Sequence, residues 1–322
     1  MTADTNRYTI APWRAVVAVD GADATGFLQG LATNDVARVS PDNSVWAALL
    51  SPQGRLLHEF FICRRGGMFL LDTGADGLDD LRRRLTMYRL RAKVDFPELP
   101  DNPVVALLWG PTVAAAPGIE DPRPGLTVPF GDGLVFVDPR LPALGLRAIL
   151  PRAGATETLD AAGLVPDSAE GWERHRLALG VPEGARDLPP GEALPMENGL
   201  EKLNALDWEK GCYVGQELTA RMRYRGLAKK RLVPVTVEGA APPPGTPVTG
   251  PDGREAGIMR SAAGGRGLCL LRVAALEAGP IGADAGRQTP LLQYLEQPVA
   301  KRQGSTDGRT ARRLVAARPF SV

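Results

Sequence analysis

Lys210-Gly211-Cys212-Tyr213-Val214-Gly215-Gln216-Glu217 (KGCYVGQE) places a cysteine two residues after a lysine, between two glycines, with polar side chains following. The thiolate is the reactive form of cysteine, and a nearby ammonium favours it by stabilising the anion. Glycines on both sides let the backbone turn tightly and approach a ligand closely. Gln216 and Glu217 then supply an amide and a carboxylate in the turn after it. Two readings of Cys212 fit these residues: a reactive thiol with Lys210 as its electrostatic activator, or a small buried hydrophobe, the common fate of a free cysteine.

Downstream, Arg221, Arg223, Arg225, Lys229, Lys230 and Arg231 cluster around Tyr224. Such a run suits an anionic ligand, a carboxylate chain or a nucleic acid, and equally a solvated charged face. Beyond Arg231, short β-leaning runs at Leu232–Val237, Ala256–Met259 and Leu268–Val273 are split by Pro242-Pro243-Pro244-Gly245 and Gly264-Gly265. That punctuation predicts a small β-domain, a barrel, over residues 232–297. Residues 298–322 are polar and basic without periodicity and read as a disordered tail.

Upstream of the signature, residues 1–231 alternate short strands and helices. Arg14–Val19, Ser44–Leu50, Arg55–Cys63 and Met68–Asp72 read as strands, the middle two as a hairpin about Pro52-Gln53-Gly54. Asp23 caps a predicted helix over Ala24–Gln29, and Leu78, Leu81, Leu85 and Tyr88 recur at helical spacing. Val104–Trp109, Leu134–Val137 and Leu146–Leu150 are further strands, with helices near Thr156–Ala162 and Ala169–Leu179. Leu188–Pro195 reads as loop. His58 and Glu59 are strand neighbours that point to opposite faces, which excludes them as a catalytic pair.

Composition bounds the function. With 322 residues and a formal net charge of +1, the chain exceeds one hydrophobic core and gives no global reason to bind nucleic acid or an anionic membrane stably. Its three cysteines, Cys63, Cys212 and Cys269, lie far apart, and with two histidines they make neither a disulfide framework nor a metal site. Cys63 and Cys269 sit in apolar runs and read as core. The first ten residues show no apolar or basic amphipathic stretch, and no apolar run approaches about 18 residues. Together these predict a cytoplasmic protein without a membrane span.

At KGCYVGQE the chain resembles the YgfZ family, folate-binding proteins of iron–sulfur cluster maintenance related to the glycine-cleavage T protein and to a mitochondrial cluster assembly factor. Further blocks are similar to the family's: Gly21-Ala22-Asp23-Ala24 with Phe27-Leu28-Gln29-Gly30 and Thr33-Asn34-Asp35-Val36, Ser51-Pro52-Gln53-Gly54-Arg55, Tyr88-Arg89-Leu90-Arg91 with Lys93-Val94, Arg174 with Arg176 and Gly180-Val181-Pro182, and Pro195-Met196-Glu197. The resemblance covers roughly residues 10–297 and implies an α+β fold: intertwined N-terminal α+β parts and a C-terminal β-barrel, closed into a ring around a central channel. It implies tetrahydrofolate as cofactor, held by Arg176, Asn34, Tyr213, Gln216 and Glu217, with Arg176 on the glutamate carboxylates and Cys212 facing the channel. It implies cluster assembly machinery and client iron–sulfur proteins as partners, radical tRNA-modifying enzymes among them. The alternative is a folate-dependent aminomethyltransferase. T proteins carry an Asp-Asp pair after the hairpin glycines, where this chain has Leu57-His58-Glu59-Phe60, and they lack the Lys-Gly-Cys-Tyr signature. Both departures weigh against aminomethyl transfer.

Overall fold

The computed structural model describes residues 5–250, 252–276, 281–283 and 291–294. The basic tail expected at 298–322 lies outside them. Strands β1 (Arg7–Ile10) and β2 (Arg14–Val19) lead into α1 (Ala24–Gln29). The hairpin of β3 (Val45–Leu50) and β4 (Leu56–Arg65) continues into β5 (Met68–Gly74) and α2 (Leu78–Arg89). Next come β6 (Val104–Trp109), β7 (Thr127–Phe130), β8 (Gly133–Val137), β9 (Leu146–Leu150), α3 (Ala155–Ala161), β10 (Val165–Pro166), α4 (Ala169–Ala178) and α5 (Gly184–Asp187). Helix α6 (Gln216–Arg225) precedes β11 (Lys230–Val237), β12 (Pro247–Thr249), β13 (Glu255–Ala263), β14 (Arg266–Arg272), α7 (Val273–Leu276), β15 (Ile281–Ala283) and β16 (Leu291–Tyr294).

Two sheets stack face to face. One runs β2-β5-β4-β3, the other β10-β1-β6-β9-β8-β7. Trp46, Phe61, Cys63 and Leu70 from the first meet Leu107, Phe136 and Ile149 from the second in a shared core. The outer face of the four-stranded sheet is covered by α1 and α2 through Leu28, Leu81 and Leu85, that of the six-stranded sheet by α3 through Ala155 and Leu159. Burial on both faces explains why β3 (VWAALL) and β6 (VVALLW) are apolar without alternation although their partners are antiparallel. The remaining strands close a barrel, β11-β14-β13-β12-β15-β16, around Val233, Val235, Met259, Cys269 and Leu271. Leu177 of α4 packs on Leu232, Leu268 and Leu270 on the barrel's outside. The fold is α+β with a C-terminal barrel, as expected.

Two elements differ from the sequence reading. Gln216 and Glu217 do not sit in a turn: they begin α6, launched from left-handed Gly215 and ended by left-handed Gly226. Strand β7 was not among the expected strands; Pro129 within it is tolerated because β7 is the sheet's edge.

Candidate functional site

The signature rests on two distant pieces of chain. The Lys210 ammonium donates to the Gln29 carbonyl at 2.7 Å and to the Ala32 carbonyl, where α1 ends and its carbonyls lack helical partners. The Val214 amide donates to Gly30 at 3.2 Å, Thr33 Oγ1 to Ala205 at 2.7 Å, and Asp207's amide to Thr33 at 3.1 Å. On the other side Gly215 abuts the β3–β4 hairpin. A methyl group there would strike the Ser51 carbonyl and approach Leu50 Cβ to 2.8 Å. Gly211, with open space around its α-carbon, has no such requirement. The loop is pinned before and after Cys212, and Cys212 itself is exposed. That excludes the reading of Cys212 as a buried hydrophobe. Cys63 and Cys269 are the buried pair, and burial pushes both thiols up, Cys269 to about 12.

The structure corrects three assignments. Lys210 was expected to activate Cys212, but its ammonium is turned to the α1 carbonyls and lies 4.9 Å from the Tyr213 ring centroid. Burial pulls its pKa down to about 8, against the pull of Asp35 and Asp207. Its work is to hold the loop. Arg176 was expected on a ligand carboxylate, yet it is fully buried and its guanidinium is occupied by Glu173 at 2.7 Å, Asp187 at 2.7 Å and the Val181 carbonyl at 3.0 Å. With Ser261 of β13, which donates to Asp187, it fastens the barrel to α4 and α5. Asn34 spends both amide protons on the Trp46 and Asn204 carbonyls and its oxygen on the Asp35 amide. It braces the loop from beneath and has no donor left for a ligand.

Tyr213, Gln216 and Glu217 do converge. With Pro52, Val214, Gly215 and Ala220 they line an open cavity of about 550 Å³. Gln216 Oε1 accepts from the Tyr213 amide at 3.3 Å, and Glu217 is paired with Arg221 on the exposed side of α6. The Tyr213 hydroxyl is buried without a hydrogen-bond partner among the described residues, and burial raises its pKa to about 12. A buried orphan hydroxyl costs about 1–3 kcal/mol, a deficit that a ligand can remove.

Arg260 went unnoticed in the sequence. A register shift between Met259 and Ser261 bulges it out of β13. Its Nε is buried without a partner, and burial pulls its pKa down against Glu192 and Asp187. Also unread was a buried ionic layer between the sheets. Arg147 bonds Asp72 at 2.8 Å, Asp138 at 3.1 Å and Glu183 at 3.1 Å, and Arg14 joins Asp72 at 2.6 Å to Glu59. Its signal was a charge inside an apolar strand, as in Leu146-Arg147-Ala148-Ile149-Leu150. His58 turns the other way, to Asp80 of α2 at 2.9 Å, in keeping with opposite faces for His58 and Glu59. Among the described residues no group of three or more His, Cys, Asp or Glu is arranged to hold a metal, and no helix is long and apolar enough to cross a membrane.

Residues 229–292 match the CAF17 C-terminal β-barrel domain. The mouse mitochondrial iron–sulfur cluster assembly factor IBA57 is 35% identical over 292 residues, 83% of this chain and 78% of that protein. The human protein is 34% identical, covering 80% of this chain and 75% of its own. The Mycosarcoma maydis homolog is 36% identical, with 76% of this chain covering 60% of that longer protein. All three are named as mitochondrial, which overturns the expectation of a cytoplasmic protein. Sparse unpaired cysteines fit any reducing compartment and did not discriminate. The glycine cleavage system aminomethyltransferase T of Bartonella henselae superposes with a TM-score of 0.76 over 93% of this chain and 87% of that one, at 18% identity, a likeness of fold alone. By sequence along four fifths of its length, the chain belongs to the family of the iron–sulfur cluster assembly factor IBA57, whose bacterial relatives are the YgfZ proteins.

Proposed function

We propose that this protein is a tetrahydrofolate-binding accessory factor that assists assembly or repair of iron–sulfur clusters in other enzymes, radical tRNA-modifying enzymes among them. Cys212 is the group it presents to a partner or its cluster. The observation that carries this reading is an exposed thiol on a loop fixed by buried bonds on one side and a glycine contact on the other, beside an open cavity. A thiol held so is accessible and loses little entropy on meeting a second protein. Cys212→Ala should leave urea unfolding unchanged and abolish rescue of cluster-enzyme activity in a deletion strain. In the parent protein Cys212 should alkylate near neutral pH well before Cys63 and Cys269. Full rescue by the alanine variant overturns the reading.

The residues present suit a folate. The cavity falls within the usual range for small ligands, roughly 300–1,000 Å³. Tyr213 lines it and its buried hydroxyl has an unspent hydrogen bond, while Arg260, which stands outside the lining residues, has, unlike Arg176, unused donor capacity for a carboxylate reaching beyond the cavity. When bound, the folate would supply one-carbon or redox chemistry, while the chain's own residues orient it. Calorimetry with tetrahydrofolate should show binding that Arg260→Gln weakens by about 1.5–3 kcal/mol. Absence of heat at millimolar folate, or no loss in the variant, contradicts this. Aminomethyl transfer is disfavoured by the placement of Glu59. It is buried with Arg14 and the Trp46 indole N–H, 2.8 Å away, and so cannot serve as the missing aspartate.

A further inference from the structure

Of the six cations that follow the signature, two are already committed. Arg221 pairs with Glu217, and Arg223 pairs with Glu201 at 3.1 Å while lying 4.2 Å from the Trp208 ring centroid. Arg225, Lys229 and Arg231 are exposed and, among the described residues, have no acidic partner. They sit on a rigid frame. Gly226 ends α6 in the left-handed conformation, the Leu227 amide returns to the Met222 carbonyl at 3.1 Å, and Glu197 Oε1 accepts both the Lys229 and Lys230 amides at 3.2 and 3.1 Å. Glu197 thus orders the turn through backbone donors and, among the described residues, forms no ion pair with its lysine side chains.

Two apolar side chains stand among these cations. Tyr224 is 79% exposed and Leu227 43%, two of the five large hydrophobic residues so placed among the described residues. Water covers a ring and a leucine here at a cost that burial under a partner would recover, at about 25 cal/mol per Å². Exposed aromatic and arginine side chains on ordered backbone are what interface centres are made of.

We propose that the outer face of α6, the turn after it and the start of β11 dock an acidic segment of a partner protein. Its Asp or Glu carboxylates meet Arg225, Lys229 and Arg231, and an apolar side chain covers Tyr224 and Leu227. A peptide suits the face better than RNA does. Leu227, an exposed aliphatic side chain beside Tyr224, has a natural counterpart in protein side chains and none in a sugar–phosphate backbone. The face begins four residues after Cys212, and Tyr224 stands about 12 Å along the helix from Gln216. A partner held there lies alongside the exposed thiol.

The full-length protein can be titrated, by fluorescence anisotropy, into a short labelled peptide of Asp and Glu residues around a Leu-Phe pair, with single-stranded RNA and phosphatidylserine vesicles as competitors. Arg225→Glu with Lys229→Glu should weaken peptide binding roughly tenfold, and affinity should fall as salt rises. Tyr224→Ala should weaken it about fivefold. Arg82→Glu with Arg91→Glu, reversing exposed cations elsewhere, should change nothing. If the reversals lower the melting temperature, Arg225→Gln with Lys229→Gln serves instead, with roughly a threefold loss expected. Tighter binding to RNA or to vesicles, no peptide binding, equal loss in the Arg82 and Arg91 variant, or indifference to Tyr224→Ala overturns the proposal. Cys212→Ala should bind the peptide as the parent does, so a failure here is separate from a failure of the thiol reading.

Discussion

Replacing Arg147 by methionine should cost about 3–5 kcal/mol of folding stability, the usual result of breaking a buried ionic network from one side. Its guanidinium is fully buried, bonds Asp72, Asp138 and Glu183, and lies 3.9 Å from the Phe61 ring centroid. Methionine fills similar volume, so packing survives and the loss is electrostatic: three buried carboxylates share fewer cations. The pH dependence identifies the cause. Burial alone would push the Glu183 carboxyl up, but Arg147, Arg140 and Arg14 hold it well below the usual range, and Asp138 is likewise held down by Arg140 and Arg147. A carboxyl depressed in the folded state contributes stability above its unfolded pKa, about 3.9–4.3, and loses it as pH falls. Without Arg147 both should protonate earlier, and the acid-unfolding midpoint should move to higher pH. Urea unfolding at neutral pH and acid titration of both proteins measure this. A loss below about 1 kcal/mol, the range of an exposed pair such as Arg221–Glu217, would contradict it.

Gly215→Ala should destabilise by about 2–5 kcal/mol, the sum of a left-handed backbone and an overpacked contact. Gly215 has φ +81°, and the added methyl meets the Ser51 carbonyl, a backbone atom that cannot rotate aside, and Leu50 Cβ at 2.8 Å. The hairpin must move away or α6 must lose its first turn, and either change opens the cavity beside Tyr213. Gly211→Ala is the matched comparison. Its α-carbon faces open space at an ordinary φ, so it should unfold within about 0.5 kcal/mol of the parent. Thermal melts of the two variants side by side decide the matter, and equal behaviour would refute it.

That contrast marks how far the sequence could be read. The signature marked the candidate site, and the glycines suggested a close approach, but only one of them requires it, because sequence shows a residue's freedom and not what stands opposite. Seven strands of the two sheets were legible from their apolar runs, and the barrel from its Pro and Gly punctuation; β1, β7 and β10 were not, being two to four residues long with no apolar run to mark them. Helix α6 was not, because Leu218, Thr219 and Met222 form a narrow apolar stripe beneath a mass of arginine. Lys210 was read as an activator because a cation near a thiol suggests a thiolate, and Arg176 was placed on a ligand carboxylate by the family resemblance. Their anions and carbonyls are already present, contributed by residues 173, 187, 29 and 32. The orphan donor on Arg260 depends on a bulge, and no pattern of residue types announces one.

The seating of the signature on Gln29 and Ala32 fixes when the site can come into being. These contacts span about 180 residues, 181 and 178 in chain separation. At about 5–20 residues per second, synthesis would separate the two halves by roughly 9–36 seconds. Through that interval the C-terminal carbonyls of α1 are solvated and its loop is unsupported. When Cys212 emerges, it has no fixed place until Lys210 finds them. Loop closure over such a distance is among the slower events in folding. The exposed thiol therefore reaches its working geometry only once residues 29–33 and 205–214 have met, and a chain truncated before that meeting would carry the cysteine without its setting.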